Sequence, residues 1–74
     1  MNKMLEIQHE LDRDDYEWLV ESNRDLAAAV ETAVLRGVLP EAIRRFVERQ
    51  YGYHRREIAI RCQSAARYLM ENAR

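Results

Sequence analysis

The chain has 74 residues, 34% of them charged, a net charge of −1, two glycines, one proline and one cysteine. A chain of this length makes one domain, residues 1–74, with a small core and a stability of about a few kcal/mol. The single cysteine excludes a disulfide framework, and with only two histidines the usual zinc spacings are absent as well. Low glycine and proline content with abundant charge indicates a folded helical protein rather than a disordered one.

The near-neutral total conceals a division. Residues 1–37 carry nine acidic side chains against four basic ones, and residues 38–74 carry eight basic against four acidic. Eleven of the twelve basic residues are arginine, the side chain suited to bidentate contacts with carboxylate or phosphate.

Met1 to Leu11 is ambiguous in period. Leu5, Ile7, His9 and Leu11 alternate with polar residues as in a strand, whereas Met4, Leu5, Gln8 and Leu11 fit one helical face. Most of these residues favour helix, and the chain offers no second strand to pair with, so a short helix over about 3–11 is expected. A strand pairing across a dimer is the alternative for residues 4–11. Asp12 then reads as the N-cap of the next helix. Asp14 and Asp15 would sit in its first turn, and Leu11 with Tyr16 would form a hydrophobic staple.

The apolar face Tyr16, Leu19, Val20, Leu26, Val30, Ala33, Val34 carries helix over 13–36, and Gly37 fits its C′ position. Ser22-Asn23 is where this helix can break, because Asn23 falls on the apolar face and is itself a good cap. The run Ala27-Ala28-Ala29 permits close approach of another helix.

Gly37 to His54 holds both glycines and the proline. Pro40 suits the first position of a helix over 40–51, with Val38 and Ile43 as a staple. Its inner face would be Ile43, Phe46, Val47 and Gln50/Tyr51, its outer face Glu41, Arg44, Arg45, Glu48 and Arg49. Gly52 ends it. A last helix over 54–73 would start at His54 as cap, with Glu57 at the third position and Tyr53–Ile58 as staple. Its core stripe would be Ile58, Cys62, Ala65, Ala66, Leu69 and Ala73. Ile60 and Tyr68 lie off that stripe, which suggests a helix contacted on two sides. The expected fold is therefore an all-α bundle of three to five helices joined by short loops.

Chemistry is sparse. Cys62 lies eight residues after His54, about 12 Å along a helix at 1.5 Å per residue, and within an apolar stripe, so it reads as a buried hydrophobe rather than a nucleophile. Asp12, Asp14, Asp15 and Glu17 have no second cluster to form an acid–base site with. Two isolated glycines make no phosphate loop. The expectation is a protein that is not an enzyme and takes no metal or cofactor. No apolar run reaches the ~20 residues of a membrane span, and no signal-peptide core follows Met1, so a cytoplasmic protein is expected.

The function expected from these residues is an adaptor-like interaction or regulatory module that binds a protein partner or a second copy of itself, with the acidic first half meeting the basic second half. Arg44, Arg45, Arg49, Arg55, Arg56, Tyr53, Asp14, Asp15 and Trp18 are the candidate partner-binding residues, being charged or aromatic types that anchor interfaces. The alternative is a small nucleic-acid-binding regulator using the arginine- and tyrosine-rich, helix-turn-helix-like region 40–73. Glu48 counts against it, since a small residue usually stands four places before the turn glycine, and so does the apolar centre of the last helix. A third option is an inhibitor whose Asp12, Asp14, Asp15, Glu17 and Glu21 mimic a nucleic-acid surface.

Overall fold

A computed structural model describes residues 3–72. Over those residues the chain forms four α-helices and no strand: α1 (Lys3–Ser22), α2 (Arg24–Leu35), α3 (Pro40–Tyr51) and α4 (Arg56–Asn72), with a 3-10 turn at Tyr53–Arg55 between α3 and α4. The all-α bundle is as expected, and none of its helices is long and apolar enough to cross a membrane.

The first helix corrects two expectations. Residues 4–11 are neither a strand nor a separate helix; they are the first half of one 20-residue helix that runs through Asp12 without a break. Asp12 is not an N-cap. Its carboxylate, 1% exposed, is turned to Arg67 of α4 instead of to amides of its own helix. The break foreseen at Ser22-Asn23 is present. Asn23 adopts non-helical φ/ψ, and its Oδ1 accepts a hydrogen bond from the Leu26 amide at 3.1 Å, capping α2.

Both glycines end helices. Gly37 has φ +83°; its amide donates to Val34 O and the Val38 amide to Ala33 O, each at 3.0 Å, which is a Schellman closure of α2. Pro40 opens α3 at a position where no amide donor is needed. Gly52, at φ 82° and ψ 166°, donates to Glu48 O at 2.8 Å and turns the chain into the 3-10 segment. That segment corrects the reading of the last helix. His54 lies inside the 3-10 turn and caps nothing, α4 begins at Arg56, and the extra turn carries Tyr53 out to 82% exposure, away from Ile58.

α4 is the central element. It packs against the other three helices, most extensively α1 and α3; α1 and α3 do not meet, and α2 and α3 touch least. Enclosure on several sides explains its composition, because Ala59, Cys62, Ser64, Ala65 and Ala66 are all buried and small enough to let neighbours approach. Ala59 and Ser64 lie outside the expected stripe for the same reason, and Ala73 of that stripe falls outside the described residues. Leu19, Ala27, Val30, Ile43 and Val47 close the core from α1, α2 and α3.

Candidate docking groove

Ile43 and Val47 of α3 point into the core as their spacing requires, but Phe46 does not. It is 63% exposed, which corrects its assignment to the inner face. Gln50 and Tyr51 are exposed as well. Of the helix pairs that meet, α2 and α3 touch least, and the flank of α3 that carries Ala42, Phe46 and Gln50 is left exposed. What remains between α2 and α3 is an open groove of about 810 Å³. Leu26, Ala29 and Ala33 form one wall, Ala42, Phe46 and Tyr51 the other, and Val30, Ile43 and Val47 the floor. The lining is mostly apolar, with Gln50 and the Tyr51 hydroxyl its polar exceptions among the side chains, and the alanines keep the α2 wall low.

The charges that seemed free in the sequence are divided into two groups. One closes the seam between α1 and α4. Arg67 Nε donates to Asp12 Oδ2 at 2.7 Å and Arg67 Nη2 to Asp12 Oδ1 at 2.8 Å, a bidentate pair, and Gln8 Nε2 donates to the same carboxylate at 3.0 Å. The bond to Asp12 is the main reason the Arg67 guanidinium is raised above its already high pKa. Arg61 Nη1 donates to Asp15 Oδ1 at 3.2 Å, and its guanidinium lies 4.3 Å from the centre of the Trp18 ring. His9 Nδ1 and Glu71 Oε2 are 3.0 Å apart. The pairing order, Asp12 with Arg67 and Asp15 with Arg61, runs α1 and α4 antiparallel. Tyr16 bridges to α2, its hydroxyl donating to Glu31 and its ring stacked 5.6 Å from Tyr68. The bond to Glu31, followed by burial, pushes the Tyr16 phenol up to about 12.

The other group faces out. Arg45 and Arg49 of α3 line a small cleft of about 360 Å³ with Glu48, Gly52 and Tyr53, and Arg55 and Arg56 follow on the adjoining turn. None of these four arginines makes an ion pair among the described residues. Arg44 differs: its Nε is 3.6 Å from Glu48 Oε1, buried, and without a hydrogen-bond partner. Of the remaining candidate residues, Asp14 is exposed, whereas Asp15 and Trp18 are engaged by Arg61. Asp12 is sealed in the seam, which removes it from the acidic surface proposed as a nucleic-acid mimic. In the sequence Leu26 and Ala33 read as part of a core face and Ala29 as part of a small-residue run; only the exposed Phe46 opposite reveals the three as a wall.

Cys62 is fully buried and burial pushes its thiol up to about 11, far from a reactive thiolate. Among the described residues no group of three His, Cys, Asp or Glu side chains could hold a metal ion. Comparison with models of protein families, with curated proteins and with solved structures finds no match for this chain. The functional reading therefore rests on the groove and the charges around it.

Proposed function

We propose that this chain is a non-enzymatic interaction module whose α2–α3 groove receives an amphipathic helix with acidic flanks. The groove itself carries this reading: an apolar trough bounded by two helices is the shape that takes the apolar stripe of a third. Phe46, an aromatic standing at its edge, is of the residue type that dominates such contacts. The basic lip formed by Arg45 and Arg49 favours acidic flanks and disfavours basic ones.

The test is a titration of the isotope-labelled full chain with two short designed helices sharing one leucine stripe, one flanked by glutamate and one by lysine. The glutamate helix should shift the amides of Ala29, Ala33, Ala42 and Phe46 saturably, binding about tenfold or more tighter than its lysine counterpart. Absence of a saturable shift with either helix at millimolar concentration would remove the reading.

A phosphate-bearing ligand is the second reading, favoured by the unpaired Arg45, Arg49, Arg55 and Arg56 beside Tyr53. The burial of α4 on several sides makes it unsuited to enter a DNA groove, so the contact would be to backbone phosphates. Mixed-sequence duplex and single-stranded DNA at two salt concentrations test it. Binding should weaken steeply with salt, and equal retention of DNA by an unrelated acidic protein would dispose of it.

A further inference from the structure

We propose that the occupant of the groove is α1 of a second copy of this chain, the two molecules exchanging α1 contacts about a two-fold axis. The inference rests on the groove reading above and names its partner.

α1 carries exposed apolar residues on a second side as well as those packed against α4, with Arg61 of α4 lying over the Trp18 end of it. Leu19 and the buried Asp12 mark the side against α4. Met4, Ile7, Leu11 and Trp18, spaced three, four and seven apart, mark a second side, and all four are exposed. Beside this stripe runs an acidic ridge of Glu6, Glu10, Asp14, Glu17 and Glu21, also exposed. Only Glu17 has a partner among the described residues, a distant 3.9 Å pairing with Arg13 on its own helix. α1 therefore presents the ligand the groove calls for, an apolar stripe with an acidic flank.

The groove supplies the complement. Arg45 and Arg49 stand one helix ridge from Ala42 and Phe46, and Arg36 stands at the foot of the α2 wall; of the acids beside them, Glu48 is turned to Arg44 and Asp25 lies on the α2 side. The lengths agree: Ile7 to Trp18 spans about 16 Å at 1.5 Å per residue, and the twelve-residue α3 spans about 18 Å. The contact cannot form within one chain. α1 is fixed to α4 by the Asp12–Arg67 pair, lines no part of the groove and does not touch α3. A two-fold arrangement makes the contact twice, which brings one helix-in-groove contact of modest size towards the roughly 1,200–2,000 Å² of a stable association and leaves no open end.

The experiment is sedimentation velocity with light scattering on the full chain over a concentration series, with far-UV circular dichroism as the check on folding. Four samples are compared: wild type, Glu6→Arg/Glu10→Arg, Arg45→Glu/Arg49→Glu, and the two variants mixed. The wild type should dimerise, each variant should dissociate at least about tenfold more readily, and the mixture should recover the wild-type mass because both contacts again join opposite charges. The glutamate-flanked designed helix should compete the wild-type dimer apart. A wild type that stays monomeric at millimolar concentration while still binding that helix overturns the second-copy assignment and leaves the groove reading standing. A dimer indifferent to both charge reversals overturns it as well, placing self-association on another surface. If the chain neither dimerises nor binds the designed helix, both readings fall together.

Discussion

The seam between α1 and α4 is closed by charge, whereas α2 and α3 face each other across an apolar trough that nothing in the described chain fills. The seam brings together residues far apart in sequence, and its bidentate Asp12–Arg67 pair has a single geometry, so it fixes one register of α1 on α4. The groove has no such lock. Its walls join through the Gly37 loop, and its surface of small and branched apolar side chains with two aromatics at α3 accepts side chains of many shapes. Polar specificity is thus used where the fold must be one thing, and apolar tolerance lines the groove proposed to receive a partner. If that division is right, changes at the seam should be read in stability, and changes in the groove in binding.

The largest effect is expected from Arg67→Ala. It leaves the buried Asp12 carboxylate with Gln8 as its remaining partner; because the removed side chain is 39% exposed and water can reach the gap, the loss should lie at the low end for one-sided breaking of a buried pair, about 3 kcal/mol. Asp12→Ala should cost less, because the Arg67 side chain is 39% exposed and can turn to water. Replacing both together, as Asp12→Leu/Arg67→Met, should recover most of the loss. Urea denaturation of the three variants gives the order directly. An Arg67→Ala midpoint equal to wild type would show that the seam is held by packing alone.

The two glycines come next and should differ. Gly52→Ala forces a side chain into a backbone region that is essentially glycine's own, at φ 82° and ψ 166°, and places its Cβ 3.1 Å from the His54 ring. A loss of about 1–3 kcal/mol is expected. Gly37→Ala meets no atom within 4 Å, so only the left-handed backbone cost of about 1–2 kcal/mol applies. Thermal melts of both should rank Gly52→Ala lower; the reverse ranking would mean that the end of α2, and with it the groove, depends on Gly37 for more than its conformation.

These two glycines show how much of the molecule the sequence discloses. Gly37, Pro40 and Gly52 punctuate the chain by local chemistry, and the bounds of α3 follow from them alone. Asn23 is visible as a cap for the same reason. Asp12 is not, because an acid after Leu11 and before an apolar period looks like a cap, and the partner that makes it a buried residue lies 55 positions away. Phe46 is misread in the opposite direction. Periodicity gives the angle at which a side chain leaves its helix but not whether a neighbour arrives at that angle, and α2 and α3 touch too little to cover Phe46. The arginines of the second half divide on the same ground: Arg61 and Arg67 are consumed by α1, while the candidates Arg45, Arg49, Arg55 and Arg56 stay outside.

Alkaline pH should weaken the fold through two groups outside the ion-paired seam, Tyr16 at its α2 contact and Cys62 in the core. Folding raises the Tyr16 phenol from 10.0 to about 12 and the Cys62 thiol from 9.0 to about 11, so both hold protons that the unfolded chain has released. Their contributions are complete below the unfolded values and are lost as pH rises, from about 9 to 11 for Cys62 and from about 10 to 12 for Tyr16. Denaturant midpoints should fall across that window. Tyr16→Phe, which keeps the ring against Tyr68 but removes the hydroxyl, should flatten the upper part of the decline, and a decline unchanged in that variant would assign it to other groups.

The smallest stability effect, and the sharpest test of the division, belongs to Phe46→Ser. A phenylalanine buried in a core of this size would cost several kcal/mol on truncation. At 63% exposure Phe46 has little to lose, and a polar side chain in its place suits water, so its change in unfolding free energy should stay within about 0.5 kcal/mol. Ile43→Ser, one helix face away and 5% exposed, is the internal control and should destabilise the chain strongly. The same Phe46→Ser variant should lose most of its affinity for the glutamate-flanked helix, since large aromatic anchors carry a disproportionate share of the energy of such a contact. Unchanged stability with lost binding makes Phe46 a binding residue kept outside the core. Lost stability with retained binding would instead place it in the fold, and the groove would be a gap in packing rather than a site.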